Sequence, residues 1–177
     1  VATVTEIYDY MRVLYARAGV PYSPFTGKPI VSQTITQIVD KIKQLPKKST
    51  IYLFAPVVRG RKGEYKKDIL AYKKRGFRKI KIDNVLYDID NVPEINKKIK
   101  HDIYILVDRI VLNSSLGNRL AEGVETSVNL ANGLVFVEYE NETLPKKFRK
   151  IEKLIFSTKF ACPESGFTIE ELSLIHI

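Results

Sequence analysis

The chain has 177 residues, 45% of them hydrophobic and 28% charged, with a net charge of +9. This composition excludes a disordered basic tail and is typical of one soluble globular domain, or of one domain and a fraction. No apolar run approaches the roughly 20 residues that a membrane-spanning helix needs. The single cysteine excludes an internal disulfide and fits a reducing compartment. We therefore expect a cytoplasmic protein with an acidic partner and no membrane partner.

Both ends of the chain look cut. The sequence opens at Val1 without a methionine, and it closes on the apolar run LSLIHI without a stop signal. We interpret the sequence as a fragment of a longer protein. The alternative is a processed or tagged small protein.

The first quarter of the chain predicts two helices separated by a rigid loop. From Thr3 to Ala18, apolar residues recur at spacings of three and four and form one face: Ile7, Tyr10, Met11, Leu14 and Tyr15. Residues 20–30 carry three prolines and a glycine, which predicts a loop and a candidate domain boundary. Ser32 is expected to cap a second helix from about Gln33 to Leu45.

The middle of the chain predicts a strand, a helix and a hairpin. Ser49 to Val58 is apolar on both faces, as in a central strand, and it is expected to end where the basic residues begin. Glu64 to Arg75 predicts a helix with lysines outward and four apolar residues inward: Tyr65, Ile69, Leu70 and Tyr72. Phe77 to Asp83 and Val85 to Ile89 predict two strands joined by an Asp83-Asn84 turn.

The rest of the chain predicts three more strands and one more helix. His101 to Leu112 predicts a long strand. Ser115 is expected to cap a helix that runs to about Ala131. Leu134 to Tyr139 and Leu154 to Phe160 complete the set. About five or six strands and four helices in mixed order predict the α+β class, with a mostly antiparallel sheet flanked by helices.

The excess charge is confined to the segment from Arg59 to Lys81. This segment holds eleven basic and two acidic residues, a net +9 that equals the charge of the whole chain. Because it spans a predicted loop, helix and strand, we expect one surface patch that binds a nucleic-acid backbone or an acidic protein face. Alternation in the strand places Lys79 and Lys81 together on one face. The alternative is a solvated helix face without a specific partner.

No catalytic or metal-binding set emerges from the motifs. The loop from Gly60 to Glu64 (GRKGE) resembles a phosphate-binding loop, but the Walker spacing and its Lys-Ser/Thr pair are missing. His101 and His176 have no partner at metal-ligand spacing, and His101 is expected at a surface or strand edge. The aspartates are expected at turns and strand ends rather than as metal ligands or acid–base groups: Asp83, Asp88, Asp90, Asp102 and Asp108.

A remnant of a zinc knuckle lies near the end of the chain. Cys162 to Phe167 has the outline of half a knuckle, but Ser165 stands where a second thiol is needed. A hydroxyl is a poor zinc ligand. Tyr22 to Ile30 has the same outline with both thiols replaced. We expect metal-free turns at both places, and no metal or other cofactor in this chain.

Six stretches together resemble one family, in order and spacing. They are TVTEIYDYMRVLYARAG (Thr3–Gly19), SQTITQIVDKI (Ser32–Ile42), LFAPVVRGRKGEYKK (Leu53–Lys67), KHDIYILVDRIVL (Lys100–Leu112), RLAEGVETSVNLANGLV (Arg119–Val135) and FSTKFACPESGFTIEEL (Phe156–Leu172). The chain is similar to the UvrA family of the excinuclease ABC system over its length up to Leu172. The final SLIHI departs from the family pattern.

The resemblance implies a fragment of the damage-sensing ATPase of bacterial nucleotide excision repair. The fragment would lie between the first Walker A motif and the first ABC signature, without catalysis of its own. Residues 1–29 would belong to the signature subdomain, 30–150 to the UvrB-binding domain, and 151–177 to the return into the ATPase half. ATP and zinc would serve the full-length family, which works as a dimer on DNA, and Ser165 argues against zinc at Cys162.

The resemblance also implies a docking face for UvrB. Lys79 and Arg109 occupy positions where the family has basic residues that bind UvrB. The neighbouring basic patch would contact either UvrB or DNA: Arg59, Arg61, Lys62, Lys66, Lys67 and Lys81. The alternative is a nucleic-acid-binding module that uses the same basic surface.

Overall fold

The computed structural model describes residues 2–20, 22, 32–113, 116–140 and 150–159. These residues form four helices and one six-stranded antiparallel sheet, which confirms the predicted α+β class. The helices are α1 (Ala2–Ala18), α2 (Ile35–Lys43), α3 (Lys66–Lys74) and α4 (Arg119–Leu130). The strands are β1 (Thr50–Lys62), β2 (Lys79–Ile82), β3 (Val85–Asp88), β4 (Lys100–Val111), β5 (Leu134–Glu140) and β6 (Ile151–Ser157).

The sheet is built around the long pair β1 and β4. Its strand order is β3-β2-β4-β1-β5-β6, so the two longest strands lie at the centre. β1 continues four residues past Val58, because Arg61 and Lys62 pair with the first residues of β4. The prediction that β1 ends before the basic residues was therefore wrong. The partner strand β4 lies far along the chain. Its pairing extends β1 into residues that the sequence alone predicts as a loop.

The helices α2 and α4 cover one side of the sheet. Alternation along β1 turns Ile51 and Leu53 toward this side, where they join a buried cluster with Ile38 of α2 and Val124 of α4. A Cβ atom at Gly123 of α4 would lie 2.7 Å from Leu53 Cδ1, so the helix sits directly on the strand. We call this the helix side of the sheet.

A second part of the core lies beneath α3. Ile80, Ile103 and Ile105 of the sheet pack with buried residues from the connection after β3 and with the inner face of α3. Three of the four predicted inward residues belong to this cluster: Tyr65, Ile69 and Tyr72. Leu70 is half exposed, so its prediction was wrong. With nine residues, α3 buries only a narrow face.

Local signals place the turns and caps. Asp83 and Asn84 both have positive φ values, 48° and 69°, as a two-residue hairpin between β2 and β3 requires, which confirms the predicted turn. The cap of α2 is Thr34, which forms a capping box with Gln37, rather than Ser32. The predicted cap Ser115 lies outside the described residues.

The apolar face predicted for the first helix is exposed. Ile7, Tyr10, Met11 and Leu14 are each about half or more exposed among the described residues. The helix itself forms as predicted, from Ala2 to Ala18. In the described part of the chain, no helix is long and apolar enough to cross a membrane.

Candidate functional site

The side of the sheet opposite the helix side carries charged and aromatic residues. Strand pairing places Tyr52 beside Arg109 and Glu138, Phe54 beside Phe136, and Lys81 beside Tyr104. Lys79 precedes Lys81 by two residues and shares its face. We call this set the charged face: Tyr52, Phe54, Lys79, Lys81, Tyr104, Arg109, Phe136 and Glu138.

A buried ion pair crosses the centre of the charged face. Lys81 Nζ lies 2.6 Å from both carboxylate oxygens of Glu138, and it lies 4.8 Å from the centroid of the Phe54 ring. β4 and β1 separate the strands of this pair, and Lys81 is level with Pro56 whereas Glu138 is level with Tyr52, so the two Cα atoms would be about 19 Å apart in a flat sheet. The two side chains can meet only because the sheet curves toward this side. The charged face is therefore concave.

Lys79 and Arg109 lie at the rim of the charged face. Lys79 Nζ is 3.2 Å from Asp88 of β3, and both side chains are about half exposed. Arg109 is exposed, and its Nε donates to the Tyr52 hydroxyl at 3.3 Å. Because Ile80 pairs with Ile105, Lys79 lies level with Leu106, three residues before Arg109. The two cations thus stand roughly 10 Å apart along the strand direction.

The backbone of Arg109 is held from the helix side. Arg119 of α4 binds Asp108 with two hydrogen bonds, Nε to Oδ2 and Nη2 to Oδ1, each 2.8 Å long. The hydrogen bonds from Arg119 hold the pKa of the Asp108 carboxyl below its usual value. Asp108 was expected at a turn or strand end, but it lies inside β4 at a register shift. The sequence offered no signal that pairs it with Arg119.

The start of β4 uses its polar groups internally. His101 is buried, with Nδ1 2.7 Å from Asp83 Oδ2 and Nε2 2.8 Å from the Asn96 carbonyl oxygen. The expected surface position of His101 was therefore wrong. The hydrogen bond to Asp83, followed by the one to the Asn96 carbonyl, raises the pKa of the His101 imidazole. The Gly60 N–H donates to Asp102 Oδ1 at 2.7 Å, so this amide of the GRKGE loop is occupied within the chain.

Comparison with known sequences identifies the family. The family model described as UvrA interaction domain matches residues 33–141, a range that contains the whole charged face. The chain belongs to the UvrA interaction domain family. The matched range does not include α1, β6 or the residues after β6.

Proteins named UvrABC system protein A are similar to almost the whole chain. The protein from Mesorhizobium japonicum is 50% identical over 183 residues, and that from Bradyrhizobium diazoefficiens is 51% identical over 184. The protein from Rickettsia typhi is 48% identical over 174 residues. Each match covers 97% of this chain. The chain spans about a fifth of the length of these curated relatives, 19%, 19% and 18% respectively.

In the UvrA interaction domain, Lys81 does not belong to an accessible patch. Its exposure is 8%, and Glu138 neutralises it across the concave face. The expectation that Lys81 is an exposed contact was wrong. Alternation correctly placed it on the side of Lys79, but it could not reveal the carboxylate that a distant strand brings over it.

The basic residues of α3 in the UvrA interaction domain do not form one patch with the charged face. Two lysines of α3 pair with acidic residues of the connection after β3, Lys66 with Glu94 at 3.5 Å and Lys73 with Asp90 at 2.5 Å. The inner face of α3 packs on the helix-side core, away from the charged face. The single surface predicted for the segment from Arg59 to Lys81 is therefore divided between two sides of the sheet.

Some predicted patch residues of the UvrA interaction domain remain exposed. Arg61, Lys62 and Lys67 are exposed, and the described part of the chain contains no acidic group within ion-pair distance of them. Arg59 is half buried and has a partner of its own. These residues add positive charge to that of Lys79 and Arg109.

The candidate zinc positions lie outside the part of the chain that the structure describes. This holds for Cys162, Ser165 and His176, and for nearly all of the stretch from Tyr22 to Ile30. Among the described residues, no group of three or more His, Cys, Asp or Glu side chains could hold a metal ion.

Proposed function

We propose that this chain is the module of UvrA that docks UvrB through the rim of the charged face. One observation carries the proposal: Lys79 and Arg109, 30 positions apart in the sequence, project from the same concave side of the sheet. The description of the family as an interaction domain supports a docking role. The relatives carry the name UvrABC system protein A, which supports a partner from the same system.

The rim fits a partner with two acidic side chains. Lys79 can exchange its half-exposed contact with Asp88 for a carboxylate of the partner. Arg109 offers a planar guanidinium that can bind a second carboxylate with two hydrogen bonds. Tyr52 lies beneath it, with the ring centroid 5.8 Å from Arg109 Cζ. Such charge pairs favour fast and specific association, and they weaken as salt screens them.

Charge reversal at the rim tests this proposal. In the 177-residue chain, Lys79→Glu with Arg109→Glu is expected to weaken UvrB binding at least ~30-fold, the equivalent of about 2 kcal/mol. The matched control is Lys74→Glu with Arg78→Glu, which makes the same change in charge at two exposed positions outside the charged face. Titration calorimetry with purified UvrB measures both. Unchanged binding of the rim variant would show that UvrB docks elsewhere.

A second candidate function is nucleic-acid binding through the exposed cations at the end of β1 and on α3. Arg61, Lys62 and Lys67 favour this candidate, because phosphate contacts need accessible basic side chains without internal partners. Fluorescence anisotropy with a DNA duplex at 50 and 200 mM salt tests it. Tight, salt-sensitive DNA binding that Arg61→Ala with Lys62→Ala removes, together with absent UvrB binding, would replace the docking proposal.

For the whole protein we propose the activity that the family resemblance implies. Residues 30–150 would form the docking domain, and 1–29 and 151–177 would join the ATPase half. ATP hydrolysis, zinc binding, dimer formation and damaged-DNA binding would then belong to the full-length protein in the cytoplasm. ATP hydrolysis by the 177-residue chain alone would contradict this division of roles.

A further inference from the structure

The part of β4 that carries Arg109 has a ladder on one side only. β2 pairs with β4 at Ile103, Tyr104 and Ile105 and ends before the second half of the strand. A register shift on the β1 side leaves Val107 without an opposite residue, just before Asp108. Backbone groups at such an edge need other partners, because the disrupted ladder does not supply them.

A single carboxylate–guanidinium pair supplies these partners for Arg109. The Arg109 N–H donates to Asp108 Oδ1 at 2.8 Å, and Arg119 Nη2 donates to the Arg109 carbonyl oxygen at 3.2 Å. The same Nη2 also binds Asp108 Oδ1, so the three residues form one connected set. Both backbone polar groups of Arg109 are thereby fixed to α4.

Asp108 and Arg109 are neighbours on β4 and lie on opposite sides of the sheet. Asp108 is paired with Leu53 of the helix side, and Arg109 is paired with Tyr52 of the charged face. We propose that Asp108 and Arg119 are positioning residues, which hold Arg109 in the direction that docking of an acidic protein partner requires. This inference rests on the proposed docking role of Arg109 and adds residues that do not touch the partner.

Preorganisation sets the size of the expected effect. Without the anchor, Arg109 keeps its pairing and side-chain contact with Tyr52, but its backbone loses the two hydrogen bonds that fix its direction, and the added freedom would be lost on binding. The cost of ordering one such side chain corresponds to a roughly 3- to 10-fold loss of affinity. The loss should disappear when Arg109 itself is removed, because nothing is then left to position.

A double-mutant cycle in the 177-residue chain tests the proposal with UvrB as the probe. Arg119→Lys keeps the charge but loses the planar fork that binds both carboxylate oxygens of Asp108, and Arg78→Lys is the matched control at an exposed arginine. We expect Arg119→Lys to weaken binding about 3- to 10-fold in the wild-type background and not at all in the Arg109→Ala background. An equal loss in both backgrounds would overturn the positioning role.

A second measurement does not depend on the partner. NMR relaxation of the Arg109 Nε–H and hydrogen exchange of its backbone amide report directly how firmly the residue is held. Arg119→Lys should increase the motion of the Arg109 Nε–H and the exchange rate of the Arg109 amide, while other amides of β4 keep their protection. Unchanged values for Arg109 would overturn the proposal. If Arg119→Lys fails to fold, Asp108→Asn serves as the second variant. Unchanged UvrB binding by Arg109→Ala would instead defeat the docking proposal.

Discussion

The centre and the rim of the charged face hold the same residue type in opposite states. Lys81 at the centre is buried and paired with Glu138, whereas Lys79 at the rim is half exposed and its ion pair with Asp88 is open to solvent. Both leave β2 on the same side, two residues apart. The strand pattern is the same for both lysines. Curvature of the sheet therefore decides which lysine stabilises the fold and which can bind a partner.

The largest effect is expected at the centre. Glu138→Ala leaves the Lys81 ammonium buried without its carboxylate, which should lower the free energy of unfolding by about 3 to 5 kcal/mol. Asp88→Ala, the matched change at the rim, should cost less than about 1 kcal/mol, because its ion pair is exposed. Urea unfolding measures both. Equal losses would abolish the distinction between centre and rim.

Removal of the rim cations should separate binding from stability. Lys79→Ala with Arg109→Ala is expected to weaken UvrB binding by about 2 kcal/mol and to reduce the salt dependence of the affinity. The free energy of unfolding should change by less than about 1 kcal/mol. Calorimetry and urea unfolding of the same samples give the two numbers. A large stability loss with intact binding would reverse the assigned roles.

Replacement of the whole central pair should be mild. Lys81→Met with Glu138→Leu removes both charges together and is expected to leave the free energy of unfolding within about 1 kcal/mol of wild type, or to raise it. Thermal and urea unfolding beside Glu138→Ala measure the contrast. If the double variant is as unstable as Glu138→Ala, packing over Phe54 depends on the ion pair itself rather than on charge neutrality.

The smallest effect is expected at the start of β4, where His101 forms hydrogen bonds within the chain. Because the folded-state pKa of His101 is raised, its stabilising contribution is fully present below the unfolded pKa of about 6.5. This contribution should be lost as the pH rises through the raised pKa. His101→Gln should flatten that part of the stability–pH curve, measured by urea unfolding from pH 5 to 9. An unchanged curve would contradict a charged His101–Asp83 pair.

Much of the secondary structure was predictable because its causes are local. The alternation of Phe77 to Asp83, the hairpin turn at Asp83-Asn84 and the apolar spacing of α1 each depend on a few adjacent residues. The errors concern longer distances. The extension of β1 to Lys62 needs β4, the burial of His101 needs the hairpin, and the Asp108–Arg119 pair needs α4 to pack on the sheet.

For the candidate site, strand alternation predicted which side chains share a face but not what lies opposite them. Lys79 and Lys81 were predicted together, and the structure places them together. Glu138 lies 57 residues from Lys81 along the chain, and no local pattern connects the two. The exposed face of α1 is a similar case, since spacing predicts an apolar face and does not tell what covers it.

The sequence by itself determined the types of the elements, the α+β class, the confinement of the excess charge and the family resemblance. These properties depend on composition and on neighbours a few residues apart. Only the tertiary structure decided which cations are accessible, because burial and pairing depend on strands that meet from distant parts of the chain. Because the sheet curves, Glu138 pairs with Lys81 across the face, whereas Lys79 and Arg109 lie at the rim.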